Sequence, residues 1–187
     1  MGVNGKAKGN RVEREVAKVL SKWWGSDFTR TPSSGMFSTT HATQLSSLGV
    51  DLAGDIICPK DFPFSVEVKS RKKIDLFDVA RNGKDSEIWD WWMQSCRDAN
   101  QVNKIPLVIF KENGKQFYAM LPHSLVLLTK SVSYLDMQNT FSSNPNDFCH
   151  ITPLSSLLSM TKADVLSALE QFKNIGYVDI ELPPDND

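Results

Sequence analysis

Three charged residues at short spacing mark the part of the chain best suited to chemistry. They are Asp55 in Gly54-Asp55-Ile56-Ile57, and Glu67 and Lys69 in Phe64-Ser65-Val66-Glu67-Val68-Lys69-Ser70. Ile, Val and Phe cluster in both stretches, and Pro59, Asp61 and Pro63 interrupt the chain between them, so both are expected to be strands. Side chains alternate across a strand, which sends Val66 and Val68 to one face and Glu67 and Lys69 to the other. A carboxylate and an ammonium on one face, with Asp55 on the strand next door, suit a hard divalent cation, which takes oxygen ligands and pairs with phosphate. A lysine there can orient or deprotonate a water for attack on phosphorus. Alone the pattern is unspecific, because a chain that is 23% charged often places Asp before Glu-x-Lys by chance.

A fourth acid sits where an acid is costly. Residues 10–24 are expected to form an amphipathic helix with Asn10 as its N-cap. At about 100° per residue, Val12, Val16, Val19, Leu20 and Trp23 share one face, and Glu13 falls inside that apolar sector. Arg11, Arg14, Glu15, Lys18 and Lys22 fall outside it. A carboxylate turned towards a core needs compensation. Either Glu13 meets a partner Arg or lies at the edge of the stripe, or it faces the same cavity as Asp55 and Glu67.

The remaining elements must position these groups. Residues 27–30 are expected to form a first strand. A turn-rich loop over 31–36 follows, where amides and hydroxyls can meet a phosphate. Residues 37–50 are polar, rich in Ser and Thr and without period, which predicts a long loop with a solvated His41. A linker follows Lys73. Asp85 or Ser86 caps a second helix to about Asn100, with Ile88, Trp89, Trp92, Met93, Cys96 and Ala99 on its apolar face. Trp91 falls off that face, as a candidate for stacking on a base or for a subunit contact. Residues 106–111 and 116–121 bracket Glu112-Asn113-Gly114-Lys115, a strong hairpin signal. Further on, 139–146 is expected to be a loop. Thr161 is expected to cap a helix to Asn174, with Asp164 as the acid of the cap and Gly176 as the stop. A closing strand over 177–182 and a disordered tail from 183 complete the expectation.

A chain of 187 residues, 41% hydrophobic, can bury a core. It has no apolar run near the ~20 residues that span a membrane and no apolar core of a signal peptide at its start. Cys58, Cys96 and Cys149 share no C-x-x-C spacing, which argues for buried or free thiols in a reducing cytoplasm and against structural zinc. The net charge of −1 conceals a division: residues 1–130 hold 19 Lys/Arg against 14 Asp/Glu, and residues 131–187 hold 2 against 8. The basic residues cluster at Lys6, Lys8, Arg11, Arg14, Lys18 and Lys22, and again at Lys69, Arg71, Lys72 and Lys73. Clusters of this kind can neutralise phosphates.

In this order the pieces resemble the PD-(D/E)XK nuclease superfamily, and within it the archaeal-type Holliday-junction resolvases and their phage relatives. The matching residues run from Lys8-Gly-Asn-Arg-Val-Glu13-Arg-Glu, through Arg30-Thr-Pro-Ser-Ser34-Gly35 and Gly54-Asp55-Ile, to Val66-Glu67-Val-Lys69-Ser-Arg71. With the hairpin, the likeness covers roughly residues 6–121. It implies that Asp55, Glu67 and the first-helix acid Glu13 hold the metal, and that Lys69 is the catalytic lysine. Ser34 matches the family's loop Ser, and Arg30 its basic residue near the scissile phosphate. Gly54 replaces the usual Pro before the Asp, and Asp51 competes with Asp55 as the ligand.

The resemblance implies an α/β fold with a mixed central sheet flanked by helices and a restriction-endonuclease-like core over 1–130. Residues 131–187, which have no counterpart in the family, are expected from their acidic composition to form an extension packed on that core. The implied activity is a Mg2+-dependent endonuclease, with Mn2+ able to substitute. Its substrate would be branched DNA such as a four-way junction, met by Lys6, Lys8, Arg11, Arg30, Ser34, Arg71, Lys72 and Lys73 and cut by a homodimer away from any membrane. Two other readings stand beside it: a restriction-like or end-processing nuclease on ordinary duplex, and a nuclease-derived protein that binds DNA without cutting.

Overall fold

A computed structural model describes residues 5–31, 54–123, 125, 135–138 and 148–174. In chain order the elements are helix α1 (Gly5–Trp24), strands β1 (Thr29–Arg30), β2 (Ile56–Ile57) and β3 (Phe64–Arg71), helices α2 (Asp78–Asn82) and α3 (Glu87–Gln101), strands β4 (Ile105–Glu112), β5 (Tyr118–Pro122), β6 (Leu135–Gln138) and β7 (Phe148–Pro153), and helices α4 (Leu154–Leu158) and α5 (Lys162–Asn174). A five-stranded mixed sheet runs β3-β4-β5-β7-β6, with β3 parallel to β4 and every other neighbour antiparallel. The α/β architecture expected from the sequence is the one observed.

Both faces of the sheet are covered, so β4 is apolar on both sides. Leu107 and Ile109 join a core with Val12, Val16 and Leu20 of α1 and Leu154, Leu157 and Val165 of α4 and α5. Val108 and Phe110 join a second core with Ile88, Trp89, Trp92 and Cys96 of α3. Phe62, fully buried, anchors α1: its ring lies 4.9 Å from Trp24, 4.8 Å from Phe28 and 5.4 Å from Phe64. The three cysteines are buried and form no disulfide.

Helix α1 begins at Gly5, so Asn10 lies inside it and is not its N-cap. Lys6, Ala7 and Lys8 are good helix formers and carry the helix through Gly9. Gly25, with φ of 74°, ends the helix by donating its N–H to the Ser21 carbonyl at 3.0 Å, a left-handed stop that suits glycine. The stretch after Lys73 is no plain linker, because it contains α2 and a 3-10 turn at Gly83–Asp85. Ser86 caps α3, its hydroxyl accepting from the Trp89 N–H.

Trp91 is a correction. It is buried, 5.9 Å from the Phe110 ring, with the Arg71 guanidinium 5.1 Å above it. Helix α3 lies against both β4 and β3, so its buried sector is wider than one apolar stripe and takes in Trp91 and Ser95. The base-stacking and subunit-contact roles considered for Trp91 are therefore withdrawn.

The hairpin forms as expected, with Val108 opposite Met120 and Phe110 opposite Tyr118. Lys115 donates its N–H to the Glu112 carbonyl at 3.0 Å, and Gly114 takes φ of 74° while Asn113 keeps a negative φ, as a type II turn requires. The cap of α5 is reciprocal: the Asp164 N–H donates to Thr161 Oγ1 at 3.1 Å, and the Thr161 N–H donates to Asp164 Oδ2 at 3.0 Å. Strands β6 and β7, both from beyond residue 130, continue the same sheet as β3. The expected loop over 139–146, the strand over 177–182 and the tail from 183 lie outside the described residues.

Candidate active site

The outer edge of β3 is where the charged groups meet. The two-stranded ladder of β1 and β2, with Arg30 opposite Ile56, brings Asp55 alongside that edge. Asp55 donates its N–H to the Val66 carbonyl at 2.9 Å, and the Val68 N–H donates to Asp55 Oδ2 at 2.9 Å. The residue thus straddles β3 around Glu67. Thr31 locks the other side, its N–H donating to the Asp55 carbonyl at 2.9 Å and its hydroxyl to the Gly54 carbonyl at 3.1 Å.

Gly54 makes this approach possible. Its φ is 82°, and a Cβ there would stand 2.4 Å from the Val66 carbonyl oxygen. Only glycine combines that conformation with that contact. Proline, whose φ is fixed near about −65°, is excluded. The departure from the motif's usual Pro is therefore built into the local backbone.

Strand alternation works as the sequence predicts. Val66 and Val68 enter the core on the α1 side, whereas Glu67 and Lys69 meet α3. Lys69 Nζ donates to Glu67 Oε1 at 2.5 Å, with both side chains largely buried. Gln94 of α3 closes a triangle: its Oε1 accepts from Lys69 Nζ at 3.0 Å, and its Nε2 donates to Glu67 Oε1 at 3.2 Å. Burial and then the Asp55 charge push the Glu67 carboxyl up to about 7, Asp98 adding in the same direction and Lys69 opposing.

Of the readings open for Glu13, the structure shows the ion pair. Glu13 has its Arg partner, with Arg30 Nε donating to Glu13 Oε2 at 2.5 Å, and Arg30 Nη2 also donates to Asn10 Oδ1 at 3.0 Å. Yet burial, then the charge of Asp55, raises its carboxyl above the usual range despite that partner. Asp55 thus acts electrostatically on both Glu13 and Glu67. Among the described residues, no three His, Cys, Asp or Glu side chains converge as a ready-made metal cluster. Glu13 is turned to Arg30, and Glu67 to Lys69 and Gln94. The donor chemistry nonetheless fits a hard cation, which takes carboxylate oxygens, and the Asp55 charge acts on both Glu13 and Glu67.

Of the other expected site residues, Arg11, Lys72 and Lys73 are exposed and Lys8 is half-buried. Arg71 pairs with Glu87 at 2.6 Å besides covering Trp91. Lys6 lies in α1. Ser34, His41 and Asp51 lie outside the described residues. Sequence reasoning missed Gln94. The signal was the spacing of Glu87, Trp91, Gln94 and Asp98 along one helical edge.

A strand carrying Glu-x-Lys, an Asp on the adjoining ladder and a first-helix Glu, all on a mixed α/β sheet, are features of the PD-(D/E)XK class. A family model described as "Phage putative PDDEXK endonuclease" matches residues 4–167, and the chain belongs to that family. The chain is also similar to Protein D14 of Escherichia phage T5, with 30% identity over 128 residues that cover 66% of this chain and 74% of that protein. No solved structure matches the chain.

Proposed function

We propose that the protein is a Mg2+-dependent endodeoxyribonuclease that cuts branched DNA, four-way junctions foremost, and works as a homodimer. The observation that carries the proposal is the arrangement on β3. Glu67 and Lys69 are paired at 2.5 Å and flanked by Asp55, whose backbone and carboxylate both bond to the strand. Asp55, Glu67 and Glu13 would hold Mg2+, and Mn2+ could replace it. Bound there, the cation would polarise the scissile phosphate and offset the charge that develops on it.

The chain's own groups supply the rest. Lys69, held at its ammonium by Glu67 and Gln94, is fixed for orienting a water towards phosphorus. Arg30, bonded to Glu13, brings positive charge beside the acid set, where an incoming phosphate would otherwise be repelled. Lys8, Arg11, Lys72 and Lys73, with Lys6, Arg71 and Ser34 by resemblance, would meet the backbone of the DNA. Among the described residues no helix is long and apolar enough to cross a membrane. Three cysteines outside any disulfide accord with a reducing cytoplasm as the site of action.

A cleavage panel tests the proposal, comparing a four-way junction, a flap, a linear duplex and single-stranded DNA with and without magnesium. Junction cutting that needs magnesium and disappears in Asp55→Ala and Glu67→Ala, with DNA binding retained, is the expected result. Equal rates on linear duplex would leave a nuclease but remove the junction preference. Full activity in either variant would remove the assignment of the site.

A further inference from the structure

Helix α3 runs back along β3, as the crossover between parallel strands requires, and the two elements match residue by residue. Arg71 meets Glu87 at 2.6 Å and lies over Trp91 at 5.1 Å. Lys69 and Glu67 meet Gln94 at 3.0 and 3.2 Å, and Glu67 feels the charge of Asp98. The polar edge of α3 is therefore a template for the polar face of β3.

We infer that Gln94 is a positioning residue for the reaction, fixing Lys69 and Glu67 at once through the two ends of its amide. The inference rests on the reading of Glu67 and Lys69 as the working pair. An amide accepts at one end and donates at the other while staying uncharged. Its carbonyl takes one proton of the Lys69 ammonium, and its NH2 holds Glu67 Oε1, so neither partner is free to rotate. A flipped amide would set NH2 against ammonium and carbonyl against carboxylate, so the network itself assigns the orientation. A charged residue in its place would repel one of the two partners. A shorter one, such as Asn, would not span both.

Residues that orient a ligand from behind change metal affinity or activity by about 10–100-fold when replaced. Gln94→Met tests the inference, because Met keeps the unbranched shape and helix propensity while losing both bonds. The experiment measures magnesium binding by calorimetry without DNA, kcat and KM on the best substrate of the cleavage panel, and the melting temperature. Expected are magnesium affinity and kcat both lower by about 10–100-fold, with KM for DNA and melting nearly unchanged. Wild-type magnesium binding and kcat in Gln94→Met would overturn the inference. So would a loss seen only in KM. If Gln94→Met melts far below the wild type, Gln94→Ala is measured in the same way, and unfolding of both would make Gln94 a structural residue and the inference wrong. The two readings fail separately. A wild type that cuts nothing in the panel, yet loses magnesium affinity on Gln94→Met, sinks the nuclease and keeps the positioning role.

Discussion

Glu13 and Glu67 are each buried near Asp55, and each is held by a cation of its own. If Glu13 serves the metal, Glu13→Gln should lower the cleavage rate by about 100-fold or more, on the scale of losing a ligand or its support. The melting temperature should move little, because the amide can still accept from Arg30. A rate measurement beside a melting curve checks this. Stabilisation with an unchanged rate would make Glu13 no more than an ion-pair partner. Glu67 gives a pH prediction with a definite sign. Its carboxyl is raised from 4.5 to about 7 in the fold, so between those values the folded state binds more protons than the unfolded one. Stability of the metal-free protein should therefore fall as pH rises through that window and be highest below it. Magnesium should oppose the fall, since binding requires the ionised carboxylates. Urea midpoints at about pH 5 and about pH 8, for the wild type and for Glu67→Gln, measure the slope and its expected loss in the variant.

At the scale of elements, the β1–β2 ladder and the Gly54 bridge to Val66 set where Asp55 stands. Gly54→Ala should cost at least about 1–3 kcal/mol from its conformation alone, and more as the new Cβ pushes against the Val66 carbonyl. Denaturant unfolding measures that cost. Activity should fall further than stability accounts for, because the Asp55 N–H loses its acceptor. Most of this site was legible from local pattern. Alternation placed Glu67 and Lys69 together, the helical sector exposed Glu13 as anomalous, and Thr161 and Asp164 marked the start of α5 within one turn. What escaped depends on partners distant in sequence. β7 is a strand because β5 offers it an edge, and β6 because β7 does. Trp91 is buried because α3 touches two strands, a fact no single-helix projection contains. Gln94 was hidden for the same reason, being an ordinary helix residue until β3 lies beneath it.

For the whole molecule, the basic residues lie in the part of the chain that carries α1 and β3, and the acidic surplus lies beyond residue 130. One chain offers one candidate site, whereas resolving a four-way junction takes two symmetry-related cuts, which a two-fold dimer supplies at a fixed separation. Light scattering should give twice the mass of the 21.0 kDa chain. A species that stays monomeric on junction DNA would argue against the resolvase. Junction affinity should drop about a thousandfold or more between about 50 and 200 mM salt if six or more phosphates are neutralised. A shallow dependence in a binding titration would mean that the exposed Arg11, Lys72 and Lys73 are not the surface that DNA meets.

The bond from the Val68 N–H to the Asp55 carboxylate has a use beyond holding two strands together. It wires an acid of the candidate centre to a single backbone amide on the outer edge of β3. Any change in the charge of that carboxylate, by a proton or by a cation, alters the acceptor that the amide sees. The Val68 resonance is thus a resident voltmeter for the site, readable in the intact protein without DNA, without turnover and without a label on any reacting atom.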